Sequence, residues 1–157
     1  MNTLEKIKLL NHYYGTFSRV CYDKSDSNKL YKWAKSNVSG DLVKPEDYHT
    51  TIYYSKIEGE PEIGRWFNYP LEVDVDFVRL ALYGDNMDVL VLEVYSEAID
   101  QVKKDFNDQT KPLEKFPCYS PHITLAYNFT GNIEEYKDLL PDFKIKATEV
   151  KTTPNEK

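Results

Sequence analysis

The strongest constraint on the fold is an order of elements that occurs twice. In the first half, a β-prone run at residues 14–22 leads into turn and N-cap chemistry at 23–27. A helix follows to about Asn37, with Leu30, Trp33 and Ala34 on one face, and Ser39-Gly40 ends it. The turn Lys44-Pro45-Glu46-Asp47 then opens a strand at 48–55. In the second half, an apolar strand at 87–95 leads to Ser96 as a helix cap and to a helix with Ala98, Ile99, Val102 and Phe106 on one face. A loop at 107–118 with Pro112 and Pro117 precedes a strand at 120–128. No long identity joins the halves, but the shared order predicts a duplicated α+β unit with a cleft between the copies. At 157 residues the chain reads as one domain, 1–157, with pseudo-repeat halves at about 13–84 and 85–151.

Both copies end in the same phrase. His49 is followed at i+2 by Thr51, and His122 at i+2 by Thr124. Residues i and i+2 of a strand share a face, so each phrase sets an imidazole beside a hydroxyl. Two of the three histidines of the chain fall in this pattern; the third, His12, has Tyr14 at i+2 and reads as structural or exposed. One such phrase is weak, since a strand histidine satisfied by backbone is the plain alternative. Matching places in the apparent repeat strengthen the pair. Two imidazoles facing one cleft can serve as general base and general acid on one phosphate ester.

Elsewhere, Leu71, Val73, Val75 and Phe77 alternate with Glu72, Asp74 and Asp76, and then the apolar set slips to Val78, Leu80 and Leu82. A bulge or break near Phe77–Val78 accounts for the slip. Gly84-Asp85-Asn86 is a hairpin-type turn. Residues 132–140 read as a short helix stopped by Pro141, and Phe143, Ile145 and Ala147 as one face of a last strand that Glu149 continues. Residues 1–12 read as a short helix, 56–64 as a Gly/Pro/Glu-rich loop and 152–157 as a frayed tail.

Several chemistries lack their residues. There is no His-x-x-x-His, His-Glu-x-x-His or Cys/His cluster for a metal, no phosphate-binding glycine loop and no Gly-x-Ser-x-Gly. No metal or other cofactor is expected. Cys21 and Cys118 lie far apart, and reduced thiols are expected. A signal peptide and a run of about 18 apolar residues are both missing, which predicts a cytoplasmic protein without a membrane partner. The net charge of -6 and the lack of a basic stripe argue against long nucleic acid and for a small ligand in a pocket. A monomer is expected.

At these residues the chain resembles the 2H phosphoesterases, whose two His-x-Thr/Ser motifs face each other in a duplicated, two-lobed α+β fold. The motifs here are His49-Thr50-Thr51 and His122-Ile123-Thr124. The resemblance covers nearly the whole chain and is closest to the phage anti-CBASS nuclease group. It is carried by Gly15-Thr16-Phe17, Asp47-Tyr48-His49-Thr50-Thr51-Ile52-Tyr53-Tyr54-Ser55 and His122-Ile123-Thr124-Leu125-Ala126-Tyr127. Antiparallel sheets lining a central cleft, with helices outside, are what it implies for the fold.

For function, the resemblance implies cleavage of cyclic di- and trinucleotide signals of a bacterial antiviral system. His49, Thr51, His122 and Thr124 would be catalytic. Phe17 matches an aromatic position of the group, Tyr14 and Tyr54 are further stacking candidates, and Glu149 stands near a glutamate that contacts nucleotide. A tryptophan that the group carries near its C-terminus is missing from residues 152–157. The alternatives are an RNA 2′,3′-cyclic or 2′–5′ phosphodiesterase and a protein that sequesters nucleotides without cleaving them.

Overall fold

A computed structural model describes residues 13–54, 68–110 and 120–156, with the side chains of 13–16, 68–69, 106–110 and 154–156 left aside. The expected N-terminal helix, the 56–64 loop, His12 and Cys118 lie outside these residues. Among the described residues, seven strands form one sheet in the order β2-β6-β5-β4-β7-β1-β3. They are β1 Tyr13–Tyr22, β2 Asp41–Leu42, β3 His49–Tyr54, β4 Asn68–Tyr83, β5 Val89–Tyr95, β6 His122–Tyr127 and β7 Ile145–Glu156. The helices α1 Lys24–Asn37 and α2 Glu97–Thr110 complete an α+β fold among the described residues. All the pairings are antiparallel. No helix among the described residues is long and apolar enough to cross a membrane.

The helices start where side-chain acceptors wait for them. Asp23 caps α1 by accepting from the Asp26 backbone N–H at 3.0 Å, and Ser96 Oγ accepts from Ile99 N–H at 3.4 Å at the start of α2. Leu30, Ala34 and Ile99 are fully buried, as helical spacing requires. Asp26 also accepts from the Lys146 backbone N–H at 2.9 Å, which ties the cap of α1 to β7. The second helix continues to Thr110, four residues into the span expected to be loop.

The slip in the alternation of β4 is a bulge inside one strand of 16 residues. The register with β5 shifts between Phe77 and Arg79. Val78, expected on the apolar face, is the extra residue and is 50% exposed, while Leu80 returns to the core. This long strand joins the two ends of the sheet, pairing with β7 through its first half and with β5 through its second. The boundary at 84/85 therefore falls in a turn between two paired strands, and the C-terminal β7 lies in the half of the sheet that carries β1 and β3.

Two further expectations change. Residues 132–140 hold only a 3-10 turn, Ile133–Tyr136, capped by Asn132. With the chain passing directly to Pro141, the segment is too short to propagate an α-helix. The tail is no frayed end: β7 pairs with β1 as far as Tyr13↔Glu156. Its polar residues find partners, with Thr152 Oγ1 and Ser18 Oγ hydrogen-bonded at 2.8 Å in full burial. A short strand, β2, also emerges beside β6, between the end of α1 and the turn at Lys44, where no element was expected.

Candidate active site

β3 and β6 stand near opposite ends of the strand order, yet their Cα atoms come within 8 Å. The sheet curls until the two histidine strands are neighbours. They share one burial sequence: His half-buried, next residue buried, Thr half-buried, two residues buried, Tyr exposed. They also share a bulge. Pairing with β1 jumps from Thr51 to Tyr53, omitting Ile52, and pairing with β5 jumps from Thr124 to Ala126, omitting Leu125. A regular strand would put Tyr53 on the face of His49 and Thr51. The bulge sends Tyr53 into the core and brings Tyr54 to the histidine face, 45% exposed.

The imidazoles are held identically. His49 Nδ1 lies 2.9 Å from the carbonyl oxygen of Asp47, and His122 Nδ1 lies 2.9 Å from that of Ser120. A carbonyl only accepts, so Nδ1 carries the proton in each ring. Nε2 is then the nitrogen that takes up or delivers a proton. Thr51 and Thr124 stand two residues on, on the same face as their histidines.

The surroundings of the two rings differ. Beside His122, the cross-strand position is Glu93, only 6% exposed, and beyond Glu93 is Arg79. Arg79 Nε pairs with Glu93 Oε1, and the Tyr83 hydroxyl donates to Glu93 Oε2 at 2.7 Å. Tyr83 also sets its ring edge-on to His122, centroids 4.6 Å apart. Burial pushes the His122 imidazole below its usual pKa; the Ser120 carbonyl and the Glu93 charge oppose this, and the nearby His49 adds to it. Burial, joined by the Glu93 hydrogen bond, pushes Tyr83 up to about 12, so its hydroxyl stays a donor.

Beside His49, the cross-strand position is Cys21. Burial raises its thiol pKa, Glu149 adds to the rise, and Arg19 and Lys151 oppose it. A bulge at Thr148, whose hydroxyl donates to the Cys21 carbonyl at 3.2 Å, shifts the phase of β7. Val150 and Thr152 thus take over the core face from Ala147. Glu149 therefore leaves the Ile145–Ala147 face it was expected to continue and shares the face of Cys21 and His49. Phe17 also lies here, its ring 5.6 Å from that of His49 and 5.9 Å from that of Tyr54, both edge-on.

Of the residues singled out from sequence, His49, Thr51, Phe17, Tyr54 and Glu149 thus share one face of β3, β1 and β7, and His122 and Thr124 share one face of β6. Tyr14 lies on β1, but its side chain is outside the described residues. Glu93 and Arg19 escaped the sequence reading. The signal for Glu93 was a lone carboxylate in the run Val-Leu-Val-Leu-Glu-Val, which has to find a partner when buried. For Arg19 it was the one cation in the first strand. Among the described residues, no three His, Cys, Asp or Glu side chains come together as metal ligands.

A family model described as "Anti-CBASS protein Acb1" matches residues 14–153. Among solved structures, the chain is similar to Escherichia coli LigT in apo form, with a TM-score of 0.60 and 14% identity over 91% of this chain and 88% of LigT. LigT complexed with 3′-AMP gives a TM-score of 0.56 and 13% identity over the same shares. A protein described as a phosphoesterase gives 0.53 and 13% over 91% of this chain and 96% of its own. At such identities the likeness is one of fold. No curated protein matches significantly.

Proposed function

The chain belongs to the anti-CBASS protein Acb1 family, and from that membership we propose that it is a metal-independent phosphodiesterase acting on cyclic di- and trinucleotide antiviral signals. It would cleave their 3′–5′ bonds and so counteract bacterial CBASS immunity. The observation that carries the reading is the paired geometry of His49 and His122, each fixed through Nδ1 to the carbonyl two residues before it and each followed by a threonine on its own face.

In this scheme the ribose 2′-hydroxyl is the nucleophile. One histidine, neutral at Nε2, takes the 2′-OH proton as the 2′-oxygen bonds to phosphorus. The other, protonated, gives its Nε2 proton to the departing 5′-oxygen as the P–O5′ bond breaks. The 2′,3′-cyclic phosphate so formed is opened by water with the two roles exchanged. Thr51 and Thr124 donate hydrogen bonds to the non-bridging oxygens and hold phosphorus between the rings. Phe17 and Tyr54 supply aromatic surface for a base, and Glu149 polar contact with it. LigT has been solved with 3′-AMP and with ATP, which fits a small nucleotide as ligand in a fold of this type.

The test is incubation with cyclic GMP–AMP, a cyclic trinucleotide and an RNA ending in a 2′,3′-cyclic phosphate, resolved by chromatography. Linearised cyclic nucleotides are the expected products. Opening of the RNA end alone would transfer the assignment to RNA end processing, and ligand recovered intact after denaturation would indicate sequestration. His49→Ala and His122→Ala should each lower turnover by about 10²- to 10⁴-fold or more. EDTA should leave the rate unchanged.

A further inference from the structure

The face that carries His49 and Thr51 also holds a cationic corner that the histidine chemistry does not use. Arg19 lies directly across from Thr51 on one side and from Lys151 on the other, so one row of the sheet reads Thr51–Arg19–Lys151. Residues paired across strands point to the same face. Arg19 is held in place: its guanidinium carbon lies 4.6 Å from the centre of the Phe17 ring, and Nη1 donates to Thr153 Oγ1 at 3.1 Å. Among the described residues, no carboxylate is within 4.0 Å of either cation. Among the described residues, Glu149, two residues before Lys151 on that face, is the acidic group whose charge joins theirs at Cys21.

We propose that Arg19, assisted by Lys151, forms an anion subsite for a second phosphate of the substrate, one that is not cleaved. The location separates the two phosphates. The scissile group belongs between the two histidines, whereas the guanidinium is drawn along β1 to the row of Phe17 and Thr153. That row is two residues beyond the row of Thr51, about 7 Å along a strand. A planar guanidinium stacked on an aromatic ring still has donors to spare for phosphate oxygens. The electrostatics call for such a site: a chain of net charge -6 repels a ligand with two or three phosphates unless cations offset it locally. The ligand class follows as a small oligonucleotide with at least two phosphates, as the cyclic substrates of the proposed function have, in preference to a nucleotide with one.

The inference uses the phosphodiesterase reading only to locate the cleaved phosphate, and a binding experiment separates the two. In a His49→Ala/His122→Ala background, affinities are measured for cyclic GMP–AMP and for GpA, which has both bases and a single phosphate. Arg19→Gln should weaken the cyclic ligand by about 10- to 100-fold, as loss of a charge-assisted contact does, and leave GpA within about twofold. Lys151→Gln should show the same selectivity at smaller size, and Arg19→Lys should recover part of the loss. Equal losses for both ligands, no loss for the cyclic one, or no binding of either would overturn the subsite. A wild-type chain that cleaves nothing but keeps this selectivity would overturn the phosphodiesterase reading and leave the subsite standing.

Discussion

Glu93 lies directly across the strand pair from His122, whereas the same position beside His49 is held by Cys21. The two imidazoles are alike in their strands, their bulges and their carbonyl partners, and they part at this neighbour and at the aromatic ring beside each, Tyr83 for His122 and Phe17 for His49. A carboxylate beside a histidine stabilises the imidazolium, and a raised-pKa thiol adds no charge. A negative charge thus faces one ring and not the other in a site whose backbone is nearly symmetric.

The Glu93→Gln variant isolates that inequality. Without the negative charge, the opposing effect of burial prevails further, and the titration of His122 moves to lower pH. NMR of the imidazole resonances would follow it directly, and the limb of the rate profile that depends on His122 should move in the same direction. The fold should be little affected, because Arg79 is 65% exposed and its ion pair is screened. An unmoved His122 titration would refute a role for Glu93 in setting its proton affinity.

Stability should also carry the signature of His122. Its folded pKa lies below the ordinary value of about 6.5, chiefly through burial. Between the folded and the ordinary value, the unfolded chain binds the proton that the folded chain refuses. The contribution is therefore fully present above about pH 6.5 and declines as pH falls toward the folded pKa. Urea midpoints taken from pH 7.5 down to 5.5 should fall more steeply for wild type than for His122→Asn. Parallel curves would show that another group governs the decline.

The site was legible in sequence to the extent that it depends on local spacing. His-x-Thr sets two side chains on one face in any extended strand, so both pairs could be read without knowing the fold. The slip at Phe77–Val78 was visible because polar residues marked the phase on both sides of it. The bulges at Ile52 and Leu125 left no such mark, since their neighbours are apolar in either register. Glu149 was misplaced for the same reason: the phase change at Thr148 arises from pairing with Cys21 and is not written in β7 itself. The tail Thr-Thr-Pro-Asn-Glu is too polar to read as a strand and becomes one only against β1.

That last pairing yields a prediction about stability. Ser18 and Thr152 bury their hydroxyls against each other at 2.8 Å. Thr152→Val keeps the shape and strands the Ser18 hydroxyl, at a cost of about 1–3 kcal/mol. Adding Ser18→Ala removes the orphaned group and should recover much of that loss. Denaturant midpoints of the two single variants and the double variant give the coupling. Additive losses would mean that the pair does not hold β7 to β1.

Phe17 occupies the one position where the aromatic, catalytic and cationic parts meet. Its ring touches His49 and Tyr54 edge-on and carries the Arg19 guanidinium over one face. Truncation to Ala should remove about 1–3 kcal/mol of base stacking from nucleotide binding and also release Arg19 from its seat. Phe17→Leu keeps apolar bulk beside His49 but offers neither a stacking face nor a quadrupole for the cation. The two variants should therefore weaken binding of cyclic GMP–AMP to a similar degree, and only Phe17→Ala should also lower turnover at saturating substrate, through the loosened His49 ring. If Phe17→Leu binds like wild type, the ring serves packing alone, and the base must find its aromatic surface elsewhere.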